Sequence, residues 1–173
     1  MDHPVGLARG ALELRPYSAE WPRSFERERS KLLANVPGIL EVEHIGSTSV
    51  PGLDAKPIID MQASLPSFDG WSAVVPLLVE HGYTYMAERV YDRRVFLPKG
   101  PEKLRTHYLS LIEVDTAESR LRLRFRDALR SDAALRREYR DLKWRLLREH
   151  AGDRPAYTAA KAAFVARVLG TNP

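Results

Sequence analysis

Trp21, Phe25, Leu32 and Val36 recur at roughly helical spacing, with Ser18 ahead of them as a cap and Pro22 in the opening turn. The pattern predicts a first helix that stops at Pro37-Gly38. LEVEHI (residues 40–45) then alternates as a half-buried strand does, GSTSVPGL (46–53) reads as a turn or short helix, and PIIDMQA (57–63) reads as a second strand. A helix is expected over about residues 68–81, kinked at Pro76 and ended by Gly82, where glycine accepts the left-handed conformation. Three short strands follow at 83–87, 93–97 and 105–113, the last two joined by the turn-rich PKGPEK. From about residue 117 to 169 the pattern gives three helices, broken near Ser131-Asp132 and Ala151-Gly152. Helix, strands, then helices, without repeats or low-complexity linkers, is the order of an α+β protein. The chain reads as a single domain over residues 1–173, with a core of about 18–115 and C-terminal helices over about 116–170.

A length of 173 residues suffices to bury about two-thirds of the surface that the unfolded chain exposes. The absence of cysteine excludes disulfides, zinc-thiolate sites, iron-sulfur clusters and a cysteine nucleophile. The opening MDHPVGLARG lacks the apolar stretch of a signal peptide, and no window approaches the roughly 20 apolar residues of a membrane span. A soluble chain is expected, and a cytoplasmic setting is compatible with it. The net charge of +4 hides an asymmetry, because residues 120–150 hold 11 Arg or Lys against 5 Asp or Glu. Such a stretch either presents ion-paired, Arg-rich helix faces or holds phosphates, an acidic partner or nucleic acid. Acids interrupt the basic excess and no aromatic residues interleave it in the way that nucleic-acid platforms require, so nucleic acid is the weaker reading.

The first chemical constellation is His44-Ile45-Gly46-Ser47 followed, after twelve residues, by Asp60-Met61-Gln62. A glycine directly after a strand lets a ligand approach the backbone, and the serine supplies a hydroxyl and an N–H to a phosphate oxygen. Asp60, in the middle of an apolar strand, needs a cation or several donors, because an unpaired buried carboxylate costs several kcal/mol. A metal ion would serve. So would the plainer arrangement, in which Gly46-Ser47 only turns the chain and Asp60 pairs with Lys56 or an arginine of the basic helices.

The block VEHIGSTSVPGLDAKPIIDM (42–61) resembles the signature of the GrpB family, of the nucleotidyltransferase superfamily. The resemblance continues in RTHYL (105–109), LRFRDALR (123–130), EYRDLKWRL (138–146) and YTAAKAAFV (157–165), nearly the whole chain. It implies a polymerase-β-type nucleotidyltransferase fold: a small mixed sheet with helices on one face and a C-terminal helical extension. It also implies that Gly46 and Ser47, with Thr48 beside them, hold nucleotide phosphates and that Asp60 is the first carboxylate for Mg²⁺ or Mn²⁺. The second carboxylate of active members is replaced by Gln62, which offers only a neutral oxygen. Glu113 is a candidate third acid, or else a solvated strand-end carboxylate.

His44, Asp60 and His107 form a two-histidine, one-carboxylate metal site if their strands are neighbours. Alternatively the histidines touch a phosphate or act as general acid and base, and for His44 a satisfied core histidine is the competing reading. A second histidine, common three residues after His107 in the family, is Ser110 here. Lys56, Arg94, Arg105 and Lys161 are the cations expected around a bound anion. Arg126 and Lys143 either join them or pair with Asp127 and with Glu138 or Asp141, and Tyr139 and Trp144 read as core-facing. Two functions follow. One is a metal-dependent enzyme that uses a nucleoside triphosphate to modify a small substrate, with a phosphorylated small molecule as ligand. The other, favoured by Gln62, is a non-catalytic binding or accessory module. The family also occurs fused to dephospho-CoA kinase, which implies an association with coenzyme A synthesis, although the chain has no GxxxxGK[ST] and cannot be that kinase itself.

Overall fold

The computed structural model describes residues 5–171. Helix α1 runs over Glu20–Asn35, and Ser18 Oγ accepts the Glu20 N–H at 3.2 Å to satisfy one of its free donors. Strands β1 (Glu41–Ile45) and β2 (Ile59–Leu65) are antiparallel neighbours, separated by a 3-10 turn over Ser47–Ser49. The second strand thus starts two residues later than its apolar pattern suggests. Helix α2 (Trp71–Glu80) carries Pro76 and is capped by His81, followed by Gly82, whose φ of +88° is the left-handed conformation expected there.

Three further strands follow: β3 (Val90–Tyr91), β4 (Arg94–Lys99) and β5 (His107–Glu113). The sheet order is β1-β2-β5-β4-β3, with β2 and β5 parallel and every other pair antiparallel. The strand expected over 83–87 does not form. Tyr83 makes one bridge to Lys99, and Thr84 N–H donates to Pro98 O at 2.8 Å. Pro98 has no N–H to donate in return, so the ladder cannot continue along that edge. The chain makes a 3-10 turn at Ala87–Arg89 before the two-residue β3.

The alternation within β2 sorts the sheet into two faces. Ile59, Met61, Ala63 and Leu65, with Leu109 and Leu111 of β5 and Val95 and Leu97 of β4, pack beneath Trp21 and Leu32 of α1 and Val74, Val75 and Leu78 of α2. This is the main core.

Asp60, Gln62, Tyr108 and Ser110 point to the opposite, more polar face. There α3 (Ala117–Ser131) lies across the strands. Gln62 Nε2 donates to Ser119 Oγ at 2.6 Å, Arg122 donates to Ser110 Oγ at 2.8 Å, and Arg126 donates to His44 O at 3.1 Å.

Helices α4 (Ala133–Glu149), α5 (Arg154–Ala160) and α6 (Ala162–Leu169) complete the extension. Asp132 and Asp153 cap α4 and α5, which explains both predicted breaks. The last expected helix is two, divided at Lys161. A second core of Val50, Leu53, Leu129, Tyr139 and Phe164 fastens these helices to the segment after the Ser47 turn. The result is α+β, with a mixed sheet, α1 and α2 on its apolar face and the C-terminal helices as an extension. Among the described residues, no helix is long and apolar enough to cross a membrane.

Candidate functional site

The antiparallel β1–β2 pair sets Ile45 opposite Asp60, so the chain leaving β1 passes directly over the Asp60 carboxylate. Gly46 makes that passage with a φ of +68°, and a β carbon built there would lie 2.7 Å from Asp60 Oδ2. Neither the conformation nor the space admits a side chain. The following turn presents Ser47 to a cavity of about 150 Å³ into which Lys56, Lys143 and Lys161 converge, bounded by Tyr139 and Tyr157.

Lys143 is 2% exposed; its Nζ donates to Ser47 Oγ at 3.2 Å and to Asp54 O. Lys161 Nζ lies 4.5 Å from the Tyr157 ring centroid and Lys56 Nζ 5.9 Å from it. Neither has a hydrogen-bond or ion-pair partner at contact distance among the described residues.

Burial and mutual repulsion act together on these ammonium groups. Burial, then the charge of Lys161, holds Lys143 down to about 7. Burial, then Lys56, holds Lys161 down to about 8, and Lys56 itself is lowered by burial and by Arg154. Burial pushes the Asp60 carboxyl above its ordinary value, against the pull of Lys56, Lys161, Arg122 and Arg154. A neighbouring cavity of about 270 Å³ also opens on Asp60 and is lined by Arg94, Phe96, Tyr108 and Arg122.

Gly46, Ser47, Lys56, Asp60 and Lys161 therefore meet at one place. Thr48 lies beside them, but its hydroxyl is engaged: it donates to Ile58 O at 3.4 Å and is 3.0 Å from His44 Nε2. Arg94 borders the second cavity, 3.2 Å from Glu118 and stacked 4.3 Å from the Tyr91 centroid. Arg105 is buried further along, donating to Gly100 O and to Thr84 Oγ1 at 3.4 Å.

The histidines are elsewhere. His44 pairs with Met61 and His107 with Ile59, both on the apolar face, whereas Asp60 faces α3. The two-histidine, one-carboxylate arrangement is thus divided by the sheet itself. His44 stacks on Phe25 with centroids 4.6 Å apart, and His107 lies 3.4 Å from Ser24 Oγ and 2.9 Å from Thr106 Oγ1. They are satisfied core histidines. Glu113 is opposite Leu65, five residues along the ladder from the Asp60–Tyr108 pair, and accepts from Phe68 N–H at 3.0 Å and Arg93 at 2.7 Å. It is too far from Asp60 to share an ion with it.

Burial lowers His44 to about 3 and His107 to about 4. Each stays neutral in the folded chain while its unfolded counterpart gains a proton near 6.5. Stability from this source is complete above 6.5 and is lost as pH falls toward those lowered values. Each histidine is expected to remove about 1 kcal/mol by about pH 5.5. Urea unfolding of the wild type and of His44→Gln and His107→Gln at several pH values checks this, and an unchanged slope in both variants would refute it.

Sequence reasoning placed Lys143 either among the cleft cations or against Glu138 and Asp141; it points to Ser47 beside Lys56 and Lys161, and pairs with neither carboxylate. The sequence shows only that Tyr139, Lys143 and Leu146 share one stripe of the helix; the fold buries that stripe. Arg126 does pair, with Asp127 at 2.7 Å and with Glu43. Arg120, Arg122, Arg140 and Arg167 also meet carboxylates, so much of the basic surface of the extension is ion-paired. Tyr139 belongs to the second core, and Trp144 Nε1 donates to Asp54 Oδ2 at 2.8 Å.

The donor set does not suit a divalent metal ion. The site offers the Asp60 carboxylate and the unpartnered Oε1 of Gln62, amid Lys56, Lys161, Arg122 and Arg154. A hard cation seeks several anionic oxygens and is repelled by such neighbours. Among the described residues no group of three or more His, Asp or Glu side chains is placed to hold a metal ion.

Comparison with known proteins fits this architecture. The chain is 38% identical over 164 residues to the UPF0157 protein PA4798 of Pseudomonas aeruginosa, a match covering 92% of this chain and 66% of that protein. It is 33% identical over 155 residues to the UPF0157 protein YqkA of Bacillus subtilis, covering 89% of this chain and 45% of the relative. The chain thus spans about two-thirds of one relative's length and less than half of the other's. A shorter match, 35% identical over 81 residues, links 44% of the chain to 20% of a dephospho-CoA kinase of Mycolicibacterium paratuberculosis. The crystal structure of the conserved protein GrpB from Enterococcus faecalis superposes with a TM-score of 0.82 at 34% identity, covering 91% of this chain and 95% of that one. The family model described as GrpB protein matches residues 11–171, spanning both the sheet and the helical extension, and the chain belongs to the GrpB family.

Proposed function

We propose that this protein binds a phosphorylated small molecule, a nucleotide in the first instance, with its phosphate in the cradle of Ser47, Lys56, Lys143 and Lys161. One observation carries the reading: three lysines converge on a cavity of about 150 Å³ that contains a single carboxylate, Asp60. Burying like charges is unfavourable unless a counterion joins them, and phosphate oxygens accept hydrogen bonds from several ammonium groups at once. Gly46 keeps the backbone open to such a ligand. The lysines supply the positive charge, and no divalent ion is needed to explain the cradle. Asp60 lines the same cavity, and its role in this reading is that of a carboxylate next to the bound phosphate. The partial likeness to a dephospho-CoA kinase makes coenzyme A precursors, which carry phosphate or diphosphate, the ligands to screen beside nucleotides.

Calorimetry and thermal unfolding with pyrophosphate, ATP and coenzyme A precursors test the proposal. Pyrophosphate is expected to raise the Tm and to bind with uptake of protons near pH 8, because an anion restores the lowered lysines toward their ordinary values. Lys161→Ala is expected to weaken it at least tenfold. Equal affinity in the variant and the wild type, or no binding of any of these anions, would rule the cradle out.

A further inference from the structure

A cleft of about 590 Å³ lies beyond Asp60, between strands β4 and β5 and helix α5. Its floor is aromatic: Phe96 and Tyr108 have centroids 5.1 Å apart. Four arginines surround that floor: Arg9, Arg89, Arg105 and Arg154. Glu102 serves two of them, bonding to Arg9 and lying 4.0 Å from Arg105. Arg89 and Arg154 have no carboxylate at ion-pair distance among the described residues. Each lies over a ring instead. The Arg89 guanidinium is 5.8 Å from the Phe96 centroid and that of Arg154 is 5.7 Å from the Tyr108 centroid. Arg154 also donates to the Tyr108 hydroxyl at 3.3 Å.

An apolar floor flanked by guanidinium groups selects a flat ligand body that carries an oxyanion. The rings contact its faces, and a guanidinium offers paired donors to a carboxylate or phosphate. The cleft adjoins the cradle. Tyr108 is the register partner of Asp60, Phe96 and Tyr108 also line the cavity that opens on Asp60, and the charge of Arg154 acts on Asp60, Lys56 and Lys161.

We propose that this cleft binds a second small molecule, an aromatic body bearing a carboxylate or phosphate, alongside the ligand of the lysine cradle. The cleft is a site on its own geometry; its role as the acceptor half of a two-ligand centre meeting at Asp60 rests on the phosphate reading.

The probes are 1-naphthoate and 1-naphthyl phosphate for the cleft, and pyrophosphate and ATP for the cradle, each titrated by calorimetry. Naphthoate is expected to bind, to lose at least tenfold in affinity in Arg89→Glu, and to keep its affinity within twofold in Lys161→Ala. Arg89 is half-buried in the turn before β3 and belongs to neither core cluster, so the substitution spares the core. Pyrophosphate is expected to show the reverse pattern. Naphthyl phosphate that still binds Lys161→Ala supports a cleft that accepts either oxyanion. Affinity for naphthoate unchanged by saturating ATP supports two ligands, whereas competition overturns the proposal, since the cleft would then hold the base of the cradle ligand. Failure of both naphthyl probes to bind at millimolar concentration, or equal binding by Arg89→Glu, overturns it as well. Failure of pyrophosphate alone counts against the cradle and leaves the cleft standing.

Discussion

Replacing Lys143 by methionine is expected to stabilise the anion-free protein by about 2 kcal/mol at neutral pH and to abolish pyrophosphate binding. The side chain is almost wholly buried, and its ammonium group faces Ser47 and the Asp54 carbonyl with two other lysines nearby. Methionine has a similar length and flexibility and fills the same space without a charge. The lost hydrogen bonds offset part of the gain, which is why the figure stays below the full cost of burying an ammonium. The pH dependence makes the test specific. With the folded group lowered to about 7 and the unfolded one at 10.5, the unfolded chain binds more protons between those values. Stability from this source is fully present above 10.5 and is lost as pH falls through about 7. Urea unfolding of both proteins at about pH 6.5 and 9 should show the wild type gaining stability with pH and the variant gaining less. A variant that is less stable at neutral pH and still binds pyrophosphate would show that Lys143 is only a structural tie.

Glu28→Ala is expected to cost about 3–5 kcal/mol, the largest loss foreseen for one residue here. Glu28 is buried on α1, where it accepts from Lys99 Nζ at 2.6 and 2.7 Å and from the Tyr83 hydroxyl at 2.9 Å. Removing it strands both donors beside the main core. Glu28→Gln keeps an acceptor for one of them and should cost less. Burial alone would push the carboxyl up, but the hydrogen bond and charge of Lys99 overcome that and hold it below 4.5. The stability it contributes is therefore present above 4.5 and disappears as pH falls through the lowered value. Chemical unfolding at neutral pH and in acid, for the wild type and both variants, would show this. A loss below 1 kcal/mol for Glu28→Ala would mean that Lys99 finds water or another acceptor.

The same network explains why His107 was misplaced in sequence. Lys99 and Glu28 are 71 residues apart in the chain, and Ser24 and His107 are 83 apart. Nothing local announces that a strand histidine is to be satisfied by a helix on the apolar face. Alternation did carry part of the answer: Val42 and His44 share a face of LEVEHI, so a buried Val42 implies a buried His44. The missing piece was register, since only the pairing of Ile45 with Asp60 shows that the carboxylate faces the other way.

The Gly46-Ser47 turn and its neighbour Asp60 were legible because the glycine, the short connection and the apolar strand around Asp60 all point to one hairpin-like unit. Gln62 was legible as a missing acid but not as a donor to Ser119, 57 residues away. Lys143 was ambiguous because Glu138 and Asp141 lie within five residues of it, and only the fold shows that its own stripe of α4 turns inward. The absent strand at 83–87 depended on Pro98, a residue in a different segment.

The close passage of Gly46 over Asp60 makes these two positions a single unit of variation. A β carbon at residue 46 would meet the Asp60 β carbon at 2.9 Å as well as its carboxylate oxygen. Shortening the carboxylate alone therefore does not make room, and only a glycine at residue 60 removes both obstacles. A library that randomises either position by itself will score residue 46 as intolerant whatever the selection, because packing and ligand access fail together. One that varies the pair relieves the contact but not the φ of +68°, so its survivors are folded chains that keep Gly46 while residue 60 varies, some of them without the carboxylate. Sorting such survivors for retained anion capture separates what the crossing of β1 over β2 does for assembly from what it does for the ligand.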